Sequence, residues 1–263
     1  RSVKGFVTGN KSDAIDARAI LIAVRQGGIK MVAVKTEVQQ AVLALHRMRQ
    51  QLVKMRTMQI NELRGLLTEY GEVFAQGRAS LTRGLSDALD RLGTRLPRVV
   101  IDSLYEQWQN VSKLDKQVEQ IEMRLKALMK EDRNAQRILA IPGVGLLTAT
   151  AASAAMGRAD AFKSGREFAA WLGLVPAHTG TGGKTRMLGI SKRGDSYLRT
   201  LLIHGARSVL THGKDPSAWL QRISQRRPLN VVVVAMANKM ARTIWALLKH
   251  ERPYQAGWVS TPA

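Results

Sequence analysis

The stretch from Ala177 to Asp195, AHTGTGGKTRMLGISKRGD, concentrates the residue types that can work on a phosphodiester. It holds five glycines and four Lys or Arg residues. Hydroxyls at Thr179, Thr181, Thr185 and Ser191 stand among Lys184, Arg186, Lys192 and Arg193, with Arg199 just beyond. A hydroxyl oxygen can attack phosphorus when the phosphate is held and neutralised and the backbone lets the oxygen reach it. A basic loop rich in glycine meets both needs. It equally suits a loop that grips phosphate without any covalent step. Gly183-Lys184-Thr185 matches the end of a nucleotide-binding P-loop, but His178 stands where its first glycine belongs, which discounts that reading.

Asp13 and Asp16 are three residues apart at the start of a predicted helix, so both carboxylates share a face. Two such groups can share a hard cation such as Mg2+. They also suit the first helical turn with no ligand at all. Ile141-Pro-Gly-Val-Gly145 lies between two helical stretches and resembles the turn of a helix-hairpin-helix element. There Gly143 and Gly145 would let backbone N–H groups approach a phosphate. A Pro/Gly turn between packed helices fits the same string. The five histidines show no metal-ligand spacing. Only His178 neighbours the basic loop.

The elements that must position these groups are mainly helical. A helix over 13 to about 24, capped by Asn10 or Ser12 and ended by Gln26-Gly-Gly28, opens the chain. From Met31, apolar residues at Val34, Val38, Ala41, Leu45, Met48, Leu52 and Met55 step by three and four. The phase then slips by one and the seam continues at Ile60, Leu63, Leu67, Tyr70 and Phe74, which predicts one helix of about 40 residues, ended by Gly71 and Gly77. A shorter amphipathic piece covers 81–92, and a second seam runs from Leu104 to Leu128. Two long seams imply an antiparallel helical hairpin, an intermolecular coiled coil, or both. Phe168 to Pro176 is apolar and should be buried. Further helices are predicted over 197–210 and 231–249, the latter despite four consecutive valines at its start. A basic stretch from Arg222 to Arg227 lies between them.

The 263 residues carry a formal net charge of +21, which points to a polyanionic partner. The bias is uneven. Up to Asn134 there are 23 basic and 15 acidic residues, and beyond it 18 and 5. Aromatic residues make up 5%, poor material for stacking single-stranded bases. The absence of cysteine excludes disulfides, zinc-thiolate sites and a thiol nucleophile. No apolar run approaches the length of a membrane span, and the basic half is too irregular for a membrane-surface helix. The first residues, RSVKGF, carry neither Met nor a signal-like stretch, so an intracellular fragment or processed product is expected.

Four strings occur in order: Asn10-Lys-Ser-Asp-Ala-Ile-Asp-Ala-Arg18, Ile141-Pro-Gly-Val-Gly145, Trp171-Leu-Gly-Leu-Val-Pro176, and Gly189-Ile-Ser-Lys-Arg-Gly-Asp195 with Tyr197-Leu-Arg-Thr-Leu-Leu202. Together they resemble the DEDD insertion-sequence transposases of the IS-one-ten and IS-eleven-eleven group. The resemblance implies a RuvC-like domain with four acidic Mg2+ ligands, a long coiled coil, and a transposase domain with a nucleophilic Ser. It implies recombination of double-stranded DNA guided by a structured noncoding bridge RNA. It also implies dimers joining into a tetramer, and a cytoplasmic, nucleoid-associated location. On this pattern 1–30 is a remnant of the RuvC-like domain, 31–134 the coiled-coil region and 135–263 the transposase domain. Asp13 and Asp16 match the third and fourth acids. The first two find no counterpart, so the chain is expected to lack most of that domain and to be metal-incompetent and inactive alone. Where the family's Ser is expected, five positions after Pro176, stands Thr181. Thr181 is the preferred nucleophile, Ser191 the second, and an inactive copy the third option. A non-catalytic nucleic-acid-binding and dimerisation module is the competing reading.

Overall fold

The structure, a computed structural model, describes residues 2–8, 10, 12–26, 33–182, 184–213 and 216–256. It divides into two units, residues 1–34 and 35–263. The first holds a 3-10 turn, Ser2–Phe6, packed with helix α1, Asp13–Arg25. Ser12 is the cap, its Oγ accepting from the Ile15 N–H at 3.3 Å. Gly27 and Gly28, expected to end α1, and Met31, expected to open the seam, lie outside the described residues.

The second unit begins with α2, Glu37–Glu69, whose 33 residues span about 50 Å. It is shorter than the expected 40 residues because Thr36 and Gln39 form a capping box that fixes its start. Its end is a Schellman motif. The Glu72 N–H reaches the Leu67 carbonyl at 2.9 Å, the Gly71 N–H reaches that of Thr68 at 3.0 Å, and Gly71 takes φ +87°. Helix α3, Arg78–Gly93, buries Leu81, Leu85, Ala88, Leu89 and Leu92, as its periodicity requires. Pro97 then precedes α4, Arg98–Glu131.

Helices α2 and α4 form the antiparallel hairpin. Arg49 Nη2 meets Glu122 at 2.7 Å, Arg56 Nη1 meets Asp115 at 2.8 Å, and Gln59 donates to Gln107, so one number rises as the other falls. The α4 seam is buried at Leu104, Val111, Val118, Ile121 and Leu125. The α2 seam needs correction. Val38, Met48 and Met55 are 65%, 55% and 47% exposed, whereas Val42 and His46 are buried. The reason is a second neighbour. The first half of α2 packs against α6 as well as α4, which turns the buried face toward Val42 and His46.

Helices α5 (Arg133–Leu139), α6 (Leu146–Met156), α7 (Gly165–Trp171), α8 (Ser196–His212), α9 (Ala218–Ser224) and α10 (Leu229–Lys249) complete the helical set. Every residue of α6 from Thr148 to Met156 is buried, as befits a central helix apolar on all sides. Asp132 joins the hairpin to this core. One carboxylate oxygen accepts from the N–H groups of Asn134 and Ala135, and the other accepts from Ser153 Oγ at 2.6 Å. By length and composition α10 could cross a membrane, contrary to the expectation that no segment could. Its valines are helical, and Val232, Val233, Ala237, Met240, Ala241, Ile244, Leu247 and Leu248 are buried, most of them within the cluster that holds Phe168 and Leu202.

The expected glycine-rich loop is instead a β ribbon. Strands β1, Pro176–Thr181, and β2, Lys184–Ile190, pair antiparallel. The chain is otherwise mainly α, as expected.

Candidate nucleic-acid interface

The register of the ribbon decides which side chains share a face. Thr179 pairs with Arg186 and Thr181 with Lys184, and alternate residues of a strand point the same way. Thr179, Thr181, Lys184 and Arg186 therefore lie on one face, two hydroxyls beside two cations. All four residues are exposed. His178, paired with Met187, lies on the other face. The turn takes Gly182 at φ +57°, while Gly183 and the Thr185 side chain lie outside the described residues. Lys192 and Arg193 follow at the root, also exposed. None of these four cations forms an ion pair with another described residue.

The root is held tightly. The Ser191 N–H donates to the Val175 carbonyl at 2.9 Å and the Lys192 N–H to that of Gly173 at 3.2 Å. A Cβ at Gly194, which takes φ +72°, would fall 1.7 Å from the Trp171 carbonyl oxygen, so only glycine lets the two segments approach. Arg199, expected to hold a nucleic-acid backbone, is employed here instead. Its Nη1 donates to the carbonyls of Leu172 and Arg193, both at 2.8 Å, clamping the root to α8. Ser191 Oγ is buried and meets no hydrogen-bond partner. Of the two candidate nucleophiles, Thr181 is open to a ligand and Ser191 is enclosed.

The root is tied to α2 by a chain of directed hydrogen bonds that sequence reasoning missed. Thr150 gives its one hydroxyl proton to the Leu146 carbonyl at 2.8 Å, so its oxygen accepts from His46 Nε2, 3.0 Å away. His46 Nδ1 is then the bare nitrogen and accepts from Tyr197 Oη at 2.9 Å. Arg49, paired with Glu122, lies near enough for its charge to act on both rings. Burial, with the Arg49 charge second, lowers the His46 pKa to about 4, so the ring is neutral. Burial likewise raises that of Tyr197. A tyrosine with raised pKa beside a weakly basic histidine is a poor nucleophile. The cluster is a structural pin. Its partners lie 104 and 151 positions apart, a separation that leaves no local signal.

Gly143 does not present itself to a phosphate. Its φ is +81°, and a Cβ there would meet the Gly205 carbonyl oxygen and Val209 Cγ2, each at 2.6 Å. A Cβ at Gly205 would in turn lie 2.1 Å from the Gly143 oxygen. The Pro/Gly turn is thus a packing contact with α8. Gly145 alone has open space around its Cα and starts α6.

Asp13 and Asp16 belong to the other unit, in the first turn of α1. Among the described residues no group of three or more acids, histidines or cysteines could hold a metal ion. Two carboxylates fit part of a four-acid set, not the whole.

Comparison with known proteins places these features. The family described as Transposase IS116/IS110/IS902 matches residues 135–221, and the DEDD-type IS110 transposase domain matches residues 1–72. The second match runs beyond the expected remnant at 1–30 into α2, so the expected truncation finds no support in it. A DEDD-type domain implies a metal-dependent, nuclease-like site. The chain is 45% identical over 97% of its length to a probable family 20 transposase of Pseudomonas aeruginosa, covering 77% of that protein. It is 43% identical, again over 97%, to the transposase for insertion sequence element IS1111A of Coxiella burnetii, covering 71% of it. To the transposase for IS1328 of Yersinia enterocolitica it is 38% identical over 93%, covering 74%. With both of its halves matched and relatives aligned across nearly its whole length, the chain belongs to the IS110/IS116/IS902 family of insertion-sequence transposases.

Proposed function

We propose that this transposase carries its attacking hydroxyl at Thr181, on the cationic face of the ribbon. The observation that supports the reading is the register of β1 and β2, which sets Thr181 beside Lys184 with Thr179 and Arg186 one step behind. Lys184 and Arg186 neutralise a DNA phosphate, and a two-stranded ribbon is slender enough to enter the major groove. The Thr181 Oγ1–phosphorus bond forms as the bond from phosphorus to a deoxyribose oxygen breaks. The hydroxyl proton leaves to solvent at the exposed tip, and the departing oxygen takes one up. The β-methyl of threonine crowds this attack relative to serine.

On the same reading, guidance comes from a structured noncoding bridge RNA. Asp13 and Asp16 contribute two carboxylates to a DEDD-type set for Mg2+ on the N-terminal side. The cation, when bound, would stabilise charge on phosphate oxygens. A homodimer, joining into a tetramer in the cytoplasm, uses the face of α2 that Val38, Met48 and Met55 leave exposed at heptad spacing. The partition into 1–30, 31–134 and 135–263 follows those three roles. Gly145, Lys192 and Arg193 add backbone contacts near the ribbon and the start of α6.

The test is to trap a covalent adduct between the whole transposase, loaded with its guide RNA, and target DNA, and to map it by mass spectrometry. An adduct on Thr181 is expected. An adduct on Ser191 or another residue removes Thr181 from the role. Robust DNA binding with no adduct at all, under conditions where a relative forms one, supports the competing reading of a non-catalytic binding and dimerisation module.

A further inference from the structure

A second cationic surface lies at the other end of α8. Between Asp195 and Glu251 the sequence has nine Lys or Arg residues and one acid, Asp215, which lies outside the described residues. Four of these cations lie on α8, on α9 and just after α9. Arg207 stands near the end of α8, and its Nη2 reaches Asn230 Oδ1, at the start of α10, at 3.4 Å. Arg222 lies on α9, with Arg226 folded back so that its Nε donates to the Arg222 carbonyl at 3.3 Å. Arg227 follows. All four are exposed, and none forms an ion pair with a described acid. Beside them a groove of about 370 Å³ opens between α8 and α9, with Ser224 and Gln225 at its rim.

We propose that this surface binds the backbone of double-stranded DNA, separately from the ribbon. Exposed guanidiniums without carboxylate partners keep their attraction for phosphate, and a hydroxyl and an amide supply the neutral donors typical of backbone contacts. Unpaired bases are a poorer fit. The one aromatic ring on α9, Trp219, already has Lys239 Nζ over one face, 4.6 Å from the ring centroid, and a single ring makes a poor stacking platform. The geometry sets a reach. Helix α8 has 17 residues and is about 25 Å long, with the ribbon root before its first residue and the arginines around and beyond its last turns. At about 3.4 Å per base pair, a duplex held by Lys192 and Arg193 at the root and by these arginines runs about seven base pairs from one to the other.

The test measures binding of the intact chain to end-labelled duplex DNA as salt is raised, with duplexes shorter and longer than that span. On the longer duplex, Arg207→Gln, Arg222→Gln, Arg226→Gln and Arg227→Gln combined should lower the slope of log affinity against log salt by about 3 to 4. The milder Arg222→Gln/Arg226→Gln pair should lower it by about half as much. The shorter duplex, which can occupy only one of the two places at a time, should show a smaller change. A separate Lys184→Gln/Arg186→Gln variant reports on the ribbon alone, so a failure there leaves this surface untouched, and the reverse. Equal slopes for the wild type and both arginine variants overturn the proposal. So does a loss seen with double-stranded RNA and not with DNA.

Discussion

Tyr197 Oη lies 2.9 Å from His46 Nδ1, and the proton between them belongs to the tyrosine. That assignment follows from Thr150, whose only proton is already given to the Leu146 carbonyl. The contact joins the first turn of α8, directly behind the ribbon root, to the long helix α2. A ridge-into-groove contact between helices tolerates sliding, whereas a polar pair inside an apolar contact has one satisfied register. The pair thus fixes where the ribbon stands relative to the hairpin.

The histidine makes folding sensitive to pH. Its folded pKa of about 4 lies below the ordinary value of about 6.5, so the unfolded chain binds the extra proton first. The contribution is present in full above pH 6.5 and is lost as pH falls through 4. It amounts to about 3 kcal/mol across that window. Urea midpoints of the wild type and His46→Gln should converge as pH is lowered from 7 to 4.5. A gap that stays constant would show that His46 does not titrate there.

Tyr197→Phe removes the donor to His46 Nδ1 and leaves a buried nitrogen unsatisfied. The expected cost is about 1–2 kcal/mol. Thermal melting reads it, and hydrogen exchange at 191–195 should rise with it, since Asp195 caps the same helix turn. A loss of stability with no faster exchange at the root would separate the pin from the ribbon.

Gly205→Ala should act on folding rather than on DNA binding. The added Cβ meets the Gly143 carbonyl oxygen, and backbone cannot swing aside as a side chain can. Overpacking of this kind costs about 1–3 kcal/mol or more. Denaturant unfolding measures it, and full stability with weakened DNA affinity would restore the phosphate-binding reading of the Pro/Gly turn.

Asp115 accepts from Arg56 on α2 and from Arg78 on α3, with its own side chain 13% exposed. Asp115→Ala leaves two guanidiniums without their counter-charge. A destabilisation of about 2–3 kcal/mol is expected, below the full cost for a deeply buried pair because the arginines reach water. Arg78→Ala, which spares the Arg56 contact, should cost less than half of that.

Thr181→Ala should abolish the covalent adduct while changing duplex affinity by less than about twofold, since truncating an exposed threonine to alanine costs little. Thr181→Ser should keep the adduct and form it faster, because the crowding methyl is gone. Gel shift and adduct yield measured on the same samples separate the two effects.

Legibility in the sequence followed the range of the interaction. Ser12 as a cap, α3 and the helical valines of α10 rest on contacts within a turn or two, and these were readable. The ribbon was not, because Gly180, Gly182, Gly183 and Gly189 dilute any alternation of apolar and polar residues. The Gly-Gly pair between Thr181 and Lys184 is nonetheless a hairpin-turn signal that could have found it. In the first half of α2 the seam lies one position from the buried face because α6 lies beside α4 against it, and a single heptad pattern describes only one neighbour, whereas Ile60, Leu63 and Leu67 in the second half are buried as their spacing requires. The stretch from Arg222 to Arg227 shows its charge in the sequence, but the groove between α8 and α9 beside it depends on how the chain turns after His212.

The ribbon has two strands, the described residues of 178–188 are exposed, and such a pair holds together only weakly in water. Its cohesion is concentrated at the root, where glycine, carbonyl and guanidinium interlock. On the proposed reading the outer part is a finger completed by what it touches: a polyanion laid along Lys184 and Arg186 would supply a second layer. The position of the Thr181 hydroxyl would then sharpen only once the bond it is to break is present.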